Sequence, residues 1–104
     1  MKIAIASTGK SIEDKVSLVC GRAQNFLIFE DNNLIETLDN PFKVGGGGAG
    51  VSVAQMLIEK NIEFVVCGKF GPNVLAWLEK ENVKHKEIND KTVKEALDEV
   101  LNNA

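Results

Sequence analysis

"NFLIFEDNNLIETLD", Asn25 to Asp39, is the stretch whose reading decides the fold. Two apolar-rich runs, Asn25–Glu30 and Leu34–Asp39, flank Asp31, Asn32 and Asn33. Aspartate and asparagine tolerate the left-handed backbone of a tight turn, so the stretch predicts a β-hairpin. A hairpin reverses the chain, and the strands on either side must fit that reversal.

Working outward, "KIAIA" (Lys2–Ala6) and "EFVVCG" (Glu63–Gly68) are apolar runs without alternation. They read as strands covered on both faces, the pattern of central parallel strands. "VKHKEI" (Val83–Ile88) is a weaker strand whose lysines suit an exposed sheet edge. Helical spacing appears in the stripe Val51, Ala54, Leu57 and Ile58, and again in Val74, Leu75 and Leu78 behind Gly71 and Pro72. The clearest helix carries Val93, Ala96, Leu97, Val100 and Leu101 on one face, opened by a Thr92/Glu95 capping box. Ser11–Val19 fits either a short helix or an extended loop. The order βββαβαβα predicts an α/β domain with a mixed five-stranded sheet, the first hairpin arm running against the rest.

The length of 104 residues suits a single domain over 1–104. A net charge of −3 gives no general attraction to nucleic acid or anionic lipid, so any anion site must be local. No run could span a bilayer or form a signal-peptide core, and a cytoplasmic protein is expected. Cys20 and Cys67 form neither a secreted framework nor a C-x-x-C pair, so reduced thiols are expected.

Strand direction gives these connections a common destination. With the first strand pointing up, its exit at Ser7–Gly9 is at the top, as is the entry to the second at "CGRAQ" (Cys20–Gln24). The third strand delivers Gly45, Gly46, Gly47, Gly48 and Gly50 there; the fourth delivers Lys69 and the "GPN" of Gly71–Asn73. Open α/β sheets bind ligands at this carboxyl edge. Two helices start there, each with unpaired N–H groups and a partial positive charge, and glycines let an anion come close. Arg22 is the sole arginine, and its donor fork matches oxyanions; Lys69 would add a second charge.

Bland readings stand beside these. The glycine run could be a turn allowing tight packing; its length and location favour backbone contact with a ligand. It meets G-x-G-x-x-G only weakly, because it follows a hairpin arm, and no Walker lysine follows. Cys20 and Cys67 would be soft metal ligands as thiolates, yet buried cysteine is usually a small hydrophobe. His85 reads as a surface residue and Trp77 as core or rim packing. Arg22 could simply close a surface ion pair. Catalysis is weakly supported, since Asp14 is the only acidic residue in a top loop and no histidine is placed beside a serine or thiol.

"CGRA" behind valine and serine, "NPF…GGGGAG", "GPNVLAWL" and "TVKEAL" occur in the order seen in the dinitrogenase iron-molybdenum cofactor biosynthesis family, which the chain resembles over nearly its whole length. That family includes nitrogenase accessory proteins of the NifX type and the C-terminal part of the cofactor-assembly enzyme NifB. The resemblance implies a ribonuclease-H-like architecture and the binding or carrying of an iron-sulfur or iron-molybdenum cluster. Members often read H-F-G-R-A; here Val19 and Cys20 replace the histidine and phenylalanine, and Phe42–Val44 holds no histidine. Cys20 is then the soft donor that remains.

The expectation is a non-enzymatic carrier accepting an anionic metallocluster or small anion, with an acceptor protein as further partner. Gly45–Gly50, Gly71 and Asn73 would supply donors, Arg22 a charged fork and Cys20 one metal contact. The rivals are an enzyme acting on a phosphorylated or nucleotide substrate at the same edge, and a pure protein-interaction module.

Overall fold

The computed structural model describes residues 1–43 and 49–103. The strands are β1 (Lys2–Ser7), β2 (Asn25–Glu30), β3 (Asn33–Asp39), β4 (Phe64–Cys67) and β5 (Lys84–Glu87). The helices are α1 (Ala49–Glu59), α2 (Pro72–Lys80) and α3 (Val93–Asn103), with a 3-10 turn at Cys20–Arg22 ahead of β2. The five strands lie in the order β3-β2-β1-β4-β5. β2 runs antiparallel to β1 and β3, while β4 is parallel to both β1 and β5. The mixed α/β sheet and the reversed hairpin arm expected from the sequence are both present.

The hairpin explains much of this. Glu30 pairs with Asn33, leaving Asp31 and Asn32 as the turn, and Asp31 adopts the left-handed φ of 54°. Ile28 pairs with Glu36 but Phe29 with Leu34, so Ile35 is the extra residue of a bulge and is half exposed. Beyond it, Glu36 accepts from Lys60 Nζ at 2.9 Å, tying β3 to the end of α1.

β1 is the central strand, which is why its run does not alternate. Ala4 and Ala6 face the layer formed by α1 and α2, with Phe26, Ile28, Leu57 and Leu78. Ile3 and Ile5 face the layer under α3, with Leu27, Phe29, Val93 and Val100. Each large apolar side chain buried in these layers contributes about 1.5–3 kcal/mol relative to exposure. In α1 the buried stripe is Val53, Ala54 and Leu57, and Val51 is only partly covered. The expected stripe was therefore rotated, because close approach to α2 at Gly50 sets which side of α1 faces inward. Just past α1, Asn61 with its φ of 61° lets the Ile62 N–H turn back onto the Leu57 carbonyl at 3.2 Å.

Ser11–Val19 is an irregular loop. It is stitched down by bridges from Ser7 to Val16 and from Lys15 to Thr92, and by the Val93 N–H on the Asp14 carbonyl at 2.8 Å. The capping box forms reciprocally: Thr92 N–H donates to Glu95 Oε1 at 2.9 Å, and Glu95 N–H to Thr92 Oγ1 at 3.2 Å.

Candidate functional site

The 3-10 turn at Cys20–Arg22 has little local support, and its hydrogen bonds within the turn are long, 3.3 and 3.4 Å. Distant parts of the chain hold it. Cys20 N–H donates to the Lys69 carbonyl at 3.2 Å, and Gly68 N–H to the Ser17 carbonyl at 2.8 Å. Asn40, fully buried between β3 and Pro41, donates from Nδ2 to the carbonyls of Gly21 at 3.2 Å and Ala23 at 2.9 Å. Its Oδ1 accepts from Phe42 N–H at 2.9 Å, closing an Asx turn. Gly68 lets the segments touch, because a Cβ there would sit 2.8 Å from the backbone of Leu18.

Held this way, the turn forms one wall of a pocket of about 210 Å³ at the carboxyl edge of the sheet. Val19, Gly21 and Arg22 face Gly71, Pro72, Asn73 and Val74, with Gly50 of α1 between them. Gly71 caps α2 without a side-chain hydrogen bond. Pro72 has no N–H, and the first intrahelical bond is Leu75 N–H to the Gly71 carbonyl at 3.0 Å. The N–H groups of Asn73 and Val74 belong to the turn that helix geometry leaves without acceptors, at the positive end of the helix dipole. At Gly50 a Cβ would come within 2.9 Å of the buried Val74 side chain, so glycine permits the two helix starts to meet. At Gly71 a Cβ would meet nothing within 4 Å. Arg22 and Val19 also line a second hollow of about 310 Å³ with Thr8, Ser17, Leu18 and Gln24, so they form the ridge between the two.

Of the residues singled out in the sequence, Arg22, Gly50, Gly71 and Asn73 are brought together at this pocket. Gly45, Gly46, Gly47 and Gly48 lie outside the described residues. Lys69 is exposed and gives its carbonyl to the turn without lining the pocket. The expectation of reduced thiols is corrected: Cys20 and Cys67 are paired in a disulfide, with Cα atoms 5.3 Å apart and both residues fully buried. The metal contact expected of Cys20 is corrected with it, since a sulfur bonded to Cys67 is not a thiolate donor. The two cysteines are 47 positions apart in the chain, and the Val19–Lys69 bridge with the flanking Cys20–Lys69 and Gly68–Ser17 hydrogen bonds brings them together. His85 is half-buried, its ring edge-on to Phe70 at 5.3 Å between centroids, so it is less solvated than expected. Trp77 packs at the margin of the α1/α2 layer with Lys80 Nζ 4.8 Å above its ring. Asp14 Oδ2 accepts the Ser11 N–H at 2.9 Å, committing that carboxylate to its own turn.

Asn40 is the residue that sequence reasoning passed over. The signal it offers is the "NPF" tripeptide, an Asx-turn pattern inside the longer motif.

The shifted carboxylates lie elsewhere. Lys86 and Lys91 hold Glu99 on α3 down to about 2 through ion pairs at 2.8 and 2.6 Å. The Thr92 N–H and hydroxyl lower Glu95. Both serve the α3 end of the molecule. Among the described residues no group of three or more His, Cys, Asp or Glu is placed to hold a metal ion. The pocket's lining residues supply hydrogen-bond donors, a guanidinium, a side-chain amide and helix N–H groups, and, among the described residues, no carboxylate. Such a donor set fits an anion, including a negatively charged cluster held through its outer atoms, better than a bare cation needing soft ligands.

Comparison with known proteins bears on the family and the fold. The family model described as "dinitrogenase iron-molybdenum cofactor" matches residues 1–103. The apo form of the orange protein from Desulfovibrio gigas superposes with a TM-score of 0.91 at 25% identity, over 98% of this chain and 88% of that one. A putative NifB protein from Thermotoga, described as belonging to the DUF35 family, gives a TM-score of 0.81 at 30% identity, over 95% and 85%. No curated protein matches.

Proposed function

The chain belongs to the dinitrogenase iron-molybdenum cofactor family, and from that premise we propose that it is a small non-enzymatic carrier whose carboxyl-edge pocket accepts an anionic metallocluster. The observation that carries this reading is the meeting of Arg22, Gly50, Gly71 and Asn73 around one pocket at the start of α2. The charged fork of Arg22 and the first-turn N–H groups of α2 would hold the cluster's outer atoms. Glycine at 71 keeps a side chain out of its way, and glycine at 50 lets the two helix starts close around it. The family's description names an iron-molybdenum cofactor, and the orange protein was solved in an apo form; both are in keeping with a bound cargo. An acceptor protein would meet Leu18 and Val19, which are 68% and 47% exposed beside the pocket.

An enzyme acting at the same edge has less support. Asp14, the carboxylate expected to serve it, accepts the Ser11 N–H in its own turn.

Protein purified without oxygen should carry iron or molybdenum, seen by metal analysis and by visible absorption. Molybdate, as a simple oxyanion probe, should raise the melting temperature, because a ligand that binds only the folded state stabilises it. Arg22→Ala should weaken that binding about tenfold, the scale of one charge-assisted hydrogen bond. Gly71→Ala, with open space around it, should reduce binding while leaving the melting temperature of the free protein unchanged. Metal-free protein that also shows no thermal response to molybdate would contradict the reading.

A further inference from the structure

The Cys20–Cys67 disulfide joins the two walls of the rim pocket. Cys20 opens the turn that carries Arg22; Cys67 ends β4 and leads through Gly68 to Gly71 and the start of α2. The two sides differ in how firmly they are held. β4 lies between β1 and β5, paired on both sides. The turn has exposed neighbours, Leu18 and Val19, and belongs to no strand ladder; hydrogen bonds from Cys20 to Lys69 and from Asn40 to Gly21 and Ala23, with the Val19–Lys69 bridge, help to hold it.

We propose that this disulfide is a redox latch on the pocket: oxidised, it holds Arg22 against the start of α2; reduced, it lets the turn withdraw and weakens anion binding. The proposal rests on the reading of the pocket as the anion site. In the step, a dithiol reductant supplies two electrons and two protons. The bond between the two sulfurs breaks, two thiols form, and the reductant leaves as its own cyclic disulfide. Two thiols at van der Waals contact need more room than a bonded pair. Both cysteines are 0% exposed in a close-packed layer, so that room must come from movement of one wall. The turn is the wall that no strand ladder holds, whereas β4 is paired on both sides.

The test uses the whole chain, oxidised or treated with dithiothreitol under exclusion of oxygen. Thiol titration of the unfolded protein should find none free before treatment and two after it. Amide exchange should then quicken at Cys20, Arg22, Ala23 and Gly68, while β1 and β2 keep their protection. Titration with molybdate should show the oxidised form binding about 5-fold or more tightly than the reduced form, the lower end of ordinary coupling between sites. The melting temperature should fall by roughly 10 °C or more on reduction, given a closed loop of this length. Cys20→Ala/Cys67→Ala should behave as the reduced form with or without dithiothreitol; if it does not fold, the dithiothreitol comparison decides alone. Two free thiols in air-exposed protein, or rim amides and affinity unchanged on reduction, overturns the latch. Faster exchange at those amides with molybdate bound by neither form upholds the movement and overturns the anion reading instead.

Discussion

The start of α3 and the Cys20–Arg22 turn are both short reversals at the ends of strands, and both depend on hydrogen bonds for their shape. At α3 the capping partners are Thr92 and Glu95, one helical turn apart, so the box forms from its own few residues, although Val93 and Lys94 also donate to the Asp14 and Ile12 carbonyls. At the 3-10 turn the partners are Asn40, Cys67 and Lys69, reached only after the hairpin and β4 have been laid down. A motif closed locally can be damaged without disturbing the rest. A motif closed by distant residues fails as a unit, and the candidate site is built on that kind.

The sharpest way to break this contrast is Asn40→Leu. It leaves the Gly21 and Ala23 carbonyls and the Phe42 N–H without the partners they have in the native protein. Urea unfolding should show a loss of about 3 kcal/mol, the scale for orphaned buried polar groups. A loss below about 1 kcal/mol would mean the turn is held by something other than Asn40. Next is Gly68→Ala, expected to cost roughly 2 kcal/mol, because a Cβ meets Leu18 backbone that cannot simply rotate away. The same measurement on Gly71→Ala should stay within about 0.5 kcal/mol of the parent protein.

The difference between local and distant closure also explains what could be read from the residues. The hairpin, the central β1, the capping box and the Gly71–Pro72 start of α2 each follow from neighbours in sequence, and each was legible. The meeting of Arg22 with Gly71 and Asn73 was legible through strand direction, once the hairpin had been recognised. The disulfide was not, since spacing alone carries no sign of two cysteines 47 positions apart becoming neighbours. The inward side of α1 was misread for a related reason: Val51 and Val53 are equally apolar, and contact with Val74 through Gly50 chooses between them. Asn40 was hidden because a buried asparagine and a turn asparagine look alike in a sequence.

Smaller effects belong to the locally closed region. Thr92→Ala should cost about 1 kcal/mol, the usual worth of a helix cap, and should leave molybdate binding intact. Loss of binding with that substitution would show that the two regions are coupled. The acid response there has a defined sign. Glu99 is held at about 2, below its ordinary 4.5, so the stability it adds is present above pH 4.5 and is lost as pH falls toward 2. Unfolding measured across that window should fall less steeply for Glu99→Gln than for the parent protein. An unchanged slope would mean that Lys86 and Lys91 are equally well placed when the protein is unfolded.

The most direct test of the carrier reading is a proton–nitrogen correlation spectrum of the oxidised protein titrated with molybdate. The largest shifts should fall on the amides of Gly50, Gly71, Asn73 and Val74 and on the guanidinium of Arg22. Shifts confined to the groove between α3 and β3, around Lys10 and Lys94, or no shifts at all, would contradict it.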